Sequence, residues 1–321
     1  SALGDVLVTA TVFPEVTTVY DWDGLEWRQR GESFTGGFQV DVDASGDRVV
    51  VGYYSAGKAT VYEWDGSNWV QMGSELDSSG LTSFFGYEVR ISGDGETIAI
   101  GDVKSCSVRP FAWNGTTWQR KGDDLKGVGS GTCGVGSINN HSINFDGSII
   151  AIGEEANSQS FADAGAVFVY KFSESGWQLL GNVITGLTPG EKLGAAVSID
   201  ARGSTLIAGS PYYSELRGAV RVWQLIEGNW DQVGASFFGK EIDHKIGPEV
   251  LISGDSNTIM FESAFASDGG EVFVYQKATD TDDDNDGVPD NIDAFPNDPA
   301  ASVDSDGDGK PDDWNEGESA A

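Results

Sequence analysis

A repeat constrains this chain more than any other feature. Trp27, Trp69, Trp118, Trp177 and Trp230 are each followed four residues later by a glycine, Gly31, Gly73, Gly122, Gly181 and Gly234, and successive tryptophans lie 42, 49, 59 and 53 residues apart. Upstream of each tryptophan an alternating segment ends in an aromatic ring: Thr18-Val19-Tyr20, Thr60-Val61-Tyr62, Val108-Arg109-Pro110-Phe111, Val167-Phe168-Val169-Tyr170 and Val220-Arg221-Val222-Trp223. A last copy, Val272-Phe273-Val274-Tyr275, has no such Trp and Gly behind it. Earlier in each unit stands an apolar run closed by glycine, as in Val49-Val50-Val51-Gly52 and Ile150-Ala151-Ile152-Gly153, and before that a strand and tight turn such as Val89 to Gly95. Four short β-branched and aromatic strands, separated by Asp, Gly, Ser and Asn turns, can bury their faces only against neighbouring sheets when the unit recurs about every fifty residues. The expected fold is all-β: a β-propeller of about six four-stranded blades over residues 1–279, with no helix.

The strand count is uneven. Six second strands and six third strands are found, but only five first strands and five tryptophan-bearing fourth strands. The first unit lacks its opening strand and the last lacks its closing one. Either a segment upstream of Ser1 supplies the missing strand, or the ring closes by internal strand mixing, or another chain supplies a strand, in which case Ala2 to Val8 serves as donor or as acceptor edge. Repeated head to tail, that contact would build a filament.

Against 51 acidic residues there are 19 basic ones, a net charge of −32, which repels nucleic-acid phosphates and anionic lipid. No stretch approaches the ~18 apolar residues of a membrane span. The chain opens at Ser1 without a methionine or signal peptide, as a processed or truncated chain would. Cys106, Cys133, His141 and His244 are too few and scattered for a zinc site, so any metal should be held by oxygen. The two cysteines either pair in an oxidising compartment or remain free. Asn114 and Asn140 begin glycosylation-type triplets.

Over residues 1–279 the chain resembles the FG-GAP family of integrin-like propellers, through Phe85-Gly86, Val135-Gly136, Leu193-Gly194 and Ile246-Gly247 at the starts of units, the glycine-closed second strands and the Trp and Gly pairs. Members that bind calcium within a blade carry Asp-x-Asp-x-Asp-Gly in the first turn. The turns beginning at Asp43, Ser92 and Asp200 lack that pattern, so blade-borne calcium is not implied.

The last 42 residues differ in kind, with 15 acids and one lysine from Asp280 to Ala321. Asp282, Asp284, Asp286, Asp290 and Asp293 occupy positions 1, 3, 5, 9 and 12 of a calcium loop, with Gly287 at the sharp turn and the Val288 carbonyl at position 7. A second copy runs Asp304, Asp306, Asp308, Gly309, Lys310 (through its carbonyl), Asp312 and Asn315. Residues 280–321 form the second domain expected, and the stretch resembles the thrombospondin type 3 repeat, with Phe295-Pro296-Asn297-Asp298-Pro299 as spacer. Ca²⁺ is the cofactor this implies, acting as a folding ligand for a segment with few apolar residues, and occupancy at millimolar calcium points to an extracellular or cell-surface location. The plainer alternative is a solvated acidic tail.

Propellers that act on sugars work from the central mouth with carboxylates, Tyr or Arg. Asp41, Glu88, Arg90, His141 and Glu249 are the candidates in first strands, but as sequence they form no convergent set, and lining the channel is their expected role. No nucleophile motif or phosphate loop accompanies them. The function expected is therefore non-enzymatic: a calcium-stabilised propeller acting in adhesion or as a structural subunit of an extracellular assembly, partnered by an extracellular protein, a glycan or its own copies. The alternatives are a carbohydrate-binding module using exposed Trp and Tyr, and a glycan-cleaving enzyme.

Overall fold

Tight turns set the strand lengths. The carboxylate of Asp23 accepts the amides of Leu25 and Glu26 at 2.8 and 2.9 Å, and Asp65 and Asn114 bind the equivalent amides of Ser67, Asn68, Thr116 and Thr117. Each side chain thereby mimics a turn's backbone acceptor and fixes the hairpin between third and fourth strands. In the first turns Asp43 accepts the amides of Asp47 and Arg48 at 3.0 and 3.1 Å, and Asp200 those of Ser204 and Thr205 at 2.7 and 2.9 Å. These carboxylates are committed to their own loops.

The computed structural model describes residues 4–78, 84–127, 140–263 and 270–277, with 294, 295, 300, 301, 303, 311 and 312 beyond. Two compact units divide the chain, Ser1–Tyr275 and Gln276–Ala321. In the second, the Asp312 amide donates to the Val303 carbonyl at 2.8 Å.

The first unit is a six-blade propeller of antiparallel sheets. Sheet one comprises Val6–Val12, Glu15–Trp22 and Trp27–Gln29, with the short Phe34–Thr35 also on Glu15–Trp22; sheet two Gln39–Val42, Arg48–Tyr53, Lys58–Trp64 and Trp69–Gln71, with Leu76–Asp77 also on Lys58–Trp64; sheet three Phe85–Ile91, Thr97–Asp102, Ser107–Trp113 and Trp118–Arg120. Sheet four comprises Asn140–Ile143, Ile149–Glu154, Ala166–Ser173 and Gly176–Leu179, with Ile184–Thr185 also on Ala166–Ser173; sheet five Ala196–Ile199, Thr205–Ser210, Ala219–Ile226 and Asn229–Phe238; sheet six Ile246–Ile252, Thr258–Ser263 and Glu271–Gln276. Among the described residues sheet one has no opening strand and sheet six no outer strand, which is the imbalance the repeat foretold. Val6–Val12 pairs with Glu15–Trp22 along its whole length, and of the segment Ala2 to Val8 expected as donor or acceptor edge, Ala2 and Leu3 lie outside the described residues. One helical turn, Tyr213–Leu216, departs from the all-strand expectation, with Ser214 and Glu215 outside helical dihedrals.

The second strands Thr97–Asp102, Ile149–Glu154 and Thr205–Ser210 are buried at every position because a sheet lies on each side, and their centres hence read as apolar runs closed by glycine. In sheets two to five a tryptophan joins the sheet to the one before it. Trp69 Nε1 donates to the Arg30 carbonyl at 2.9 Å, Trp118 to Met72 at 3.0 Å, Trp177 to Lys121 at 2.5 Å and Trp230 to Leu180 at 2.9 Å. The glycine after each acceptor leaves room for the ring: a Cβ on Gly73 would lie 2.8 Å from Trp113 and 3.1 Å from Trp118. The spacing of Trp and Gly is thus an inter-blade clasp. Trp27 of sheet one is 41% exposed and makes no such bond among the described residues.

Candidate functional site

Inner strands of a propeller line its axis. Alternate residues of each share one face, and these are Gln39 and Asp41, Glu88 and Arg90, Asn140 and Ser142, Ala196 and Ser198, Glu249 and Leu251. The second member of each pair ties one sheet to the next where it can accept a hydrogen bond. Asp41 Oδ2 takes the Ile91 amide at 2.9 Å, Ser142 Oγ that of Ile199 at 3.1 Å and Ser198 Oγ that of Ile252 at 3.2 Å.

Sheet three breaks this girdle, because Arg90 has no acceptor to offer. It pairs instead with Glu88 Oε1 at 2.8 Å. The other oxygen of Glu88 lies 3.4 Å from His141 Nδ1, both atoms buried without a hydrogen-bond partner. His141 Nε2 donates to the Ala99 carbonyl at 3.0 Å. Burial works against the charge of Arg90, but Glu88, Asp41 and Glu249 together raise its pKa. Burial pushes the carboxyl of Asp41 up against the pull of Arg90. Desolvation likewise raises Glu249, although that side chain opens on solvent at one side. The first-strand polar residues therefore do converge: Asp41, Glu88, Arg90, His141 and Glu249 form one electrostatic cluster. The sequence concealed this because the members come from four different strands and occupy two different layers.

Four aromatic rings border the start of these strands. Tyr54 lies 5.0 Å from Phe38, 5.6 Å from Tyr87 and 6.1 Å from Phe84, and Phe38 lies 5.7 Å from Tyr87. Phe38 and Tyr87 immediately precede Gln39 and Glu88 in the chain, so the group is joined to the first strands of sheets two and three through the backbone. Phe38 and Phe84 are exposed, and rings left in water against polar neighbours mark a binding face more often than scattered apolar residues do. Sequence reasoning missed this group; the recurring aromatic and glycine at unit starts was its only trace.

A cavity of about 210 Å³ opens on sheet six, lined by Glu249, Leu251, Met260, Phe261, Glu262 and Val272. Glu249 thus faces both cluster and cavity. Of the twelve expected calcium ligands, only Asp312 is among the described residues, and its side chain is exposed. Asp282, Asp284, Asp286, Val288, Asp290, Asp293, Asp304, Asp306, Asp308, Lys310 and Asn315 lie outside them. Cys106 is disulfide-bonded, and Cys133, the remaining cysteine of the chain, lies outside the described residues. Among the described residues no helix is long and apolar enough to cross a membrane.

No family model matches the chain, and no curated protein does. Solved structures do. A functionally unknown protein from Desulfotomaculum acetoxidans superposes with a TM-score of 0.59 at 14% identity, covering 86% of this chain and 80% of the other. A provisionally assigned 6-phosphogluconolactonase from Bacteroides uniformis does so with a TM-score of 0.59 at 14% identity, covering 87% and 80%. Its counterpart from Bacteroides fragilis gives 0.53 at 14% identity, covering 85% and 81%. At this identity the likeness establishes the propeller fold. It also corrects the expectation of a non-enzymatic adhesive or structural propeller: the propellers this chain superposes on include enzyme-like ones, and the supposed lack of a convergent polar set does not hold.

Proposed function

We propose that the axial cluster is the site of an enzyme-like propeller that takes a neutral, polyhydroxylated ring, of the sugar-lactone class, and hydrolyses it. The observation that carries this reading is the gathering of Asp41, Glu88 and Glu249 around Arg90 on inner strands, with the four-ring group Phe38, Tyr54, Phe84 and Tyr87 joined through Tyr87 to the strand that bears Glu88 and Arg90. Aromatic faces suit the C–H faces of sugar rings. The whole chain carries −32, so an uncharged lactone is favoured over a phosphorylated one. Water would add to the lactone carbonyl while Glu249 takes its proton and passes it to the departing ring oxygen, and Arg90 would steady the oxyanion.

The FG-GAP resemblance and the calcium tail complete the reading. Asp282 to Asp293 and Asp304 to Asn315 would each wrap one Ca²⁺ in oxygen donors, consistent with an extracellular or cell-surface setting and with an oxidised Cys106. The test is acid release from a neutral aldonolactone, followed by pH-stat with the full chain. Turnover should be lost in Glu249→Gln, and Tyr87→Ala should raise KM more than it lowers kcat. Wild-type rates no faster than buffer, or an unchanged Glu249→Gln, would reject the assignment.

A further inference from the structure

In sheets one to four the third strand is closed on its outer side by the same bond. The amides of Arg30, Met72, Lys121 and Leu180 donate to the carbonyls of Val19, Val61, Pro110 and Val169 at 2.8, 2.8, 2.9 and 2.7 Å. Each acceptor immediately precedes the aromatic residue of the third-strand motif. In sheet six the equivalent residue is Val274, and among the described residues no strand lies on that side of Glu271–Gln276. Backbone groups of alternate residues point to the same neighbour, so Val272 and Gln276 direct theirs as Val274 does. Among the described residues nothing blunts this edge. Val272 is 64% exposed and Val274 61%, and no charge or proline interrupts Val272 to Tyr275, although such devices usually protect an open strand.

We propose that this edge pairs with the same edge of a second copy of the chain, antiparallel and centred on Val274. Charge selects the register. With Val274 opposite its own counterpart, Val272 meets Gln276, Phe273 meets Tyr275, and Glu271 meets Lys277 at both ends of the ladder. A slip of two residues either way would lose both ion pairs, and a slip of one would put the outward-pointing backbone groups out of phase. Glu271 Oε2 accepts a hydrogen bond from His244 Nε2 at 3.0 Å, which leaves Oε1 for Lys277 of the second copy. The contact is isologous, so it closes at two molecules and grows no filament.

Sedimentation of the full chain over a concentration series provides the test. Wild type should pass from monomer to dimer, and Val274→Lys, which sets like charges face to face at the centre, should stay monomeric with unchanged circular dichroism. Glu271→Lys and Lys277→Glu should each weaken the dimer on the order of tenfold, while the double exchange should restore it to near the wild-type value. Recovery in the double exchange is specific to this register, and it remains readable should Val274→Lys fail to fold. A wild type that stays monomeric throughout, as it would if the acidic tail covered the edge, overturns the proposal, and so does a double exchange no better than the single ones.

Discussion

Trp118 and Trp27 hold the same place in the repeat and differ in what they touch. Trp118 is 7% exposed and donates to Met72 across the sheet boundary, whereas Trp27 is 41% exposed with no sheet to clasp among the described residues. Trp118→Ala should cost ~3–5 kcal/mol, as large buried aromatics do, and Trp27→Ala less than ~1 kcal/mol, measured as shifts in urea midpoint. Equal losses would mean that the clasp is not what the tryptophan contributes. Asp41 supplies a prediction in pH. Its carboxyl is raised above the ordinary 3.8 by burial, so the folded chain holds that proton more tightly than the unfolded one. Its contribution is therefore full below pH 3.8 and is lost as pH rises through the higher folded value. Relative to Asp41→Asn, wild-type stability should fall over that interval; a constant difference between the two would show that the group does not titrate there.

At the scale of elements, the glycines that open units are contact points between sheets. A Cβ on Gly86 would lie 2.2 Å from the Lys58 carbonyl oxygen, at a φ of +83°, while one on Gly24 would meet nothing within 4 Å at a φ of +95°. Both alanine variants incur backbone strain of ~1 kcal/mol. Gly86→Ala must in addition push adjoining backbones apart, so its melting temperature should drop clearly further than that of Gly24→Ala. The period of the strands, the hairpin turns and the missing first and last strands were all legible in the sequence, because each is a local pattern repeated several times. The axial cluster was not. Asp41, Glu88, Arg90, His141 and Glu249 are each one of a kind in their strands, and only the ring brings them together. The residue types at Phe38 and Tyr87 were visible, but exposure is a property of the assembled mouth and no local pattern encodes it.

For the molecule as a whole, burial is uneven. The second strands of sheets three to five are buried throughout, whereas sheet six exposes Leu251, Val272 and Val274 and sheet one exposes Leu7. Amide exchange should therefore be slowest in sheets three to five and fastest in sheets one and six. If the tail binds calcium as proposed, a chelator should accelerate exchange within residues 280–316 and leave Thr97–Asp102 and Ile149–Glu154 unchanged. Loss of protection in the blades, or none in the tail, would contradict the division of labour between the two units.

The hairpins also place tryptophans in pairs of nearly constant geometry. Trp22 and Trp27, Trp64 and Trp69, and Trp113 and Trp118 have ring centroids 5.4, 5.4 and 5.3 Å apart at 55°, 52° and 54°. Transition dipoles so close and so similarly tilted couple, and three copies of one chiral arrangement add their signals in place of cancelling them. The chain should accordingly show an exciton couplet in its circular dichroism. Trp69→Phe and Trp118→Phe should each remove about one third of the couplet if the three pairs contribute alike. The three hairpins would then act as built-in optical probes, each reporting on its own blade as the propeller is heated.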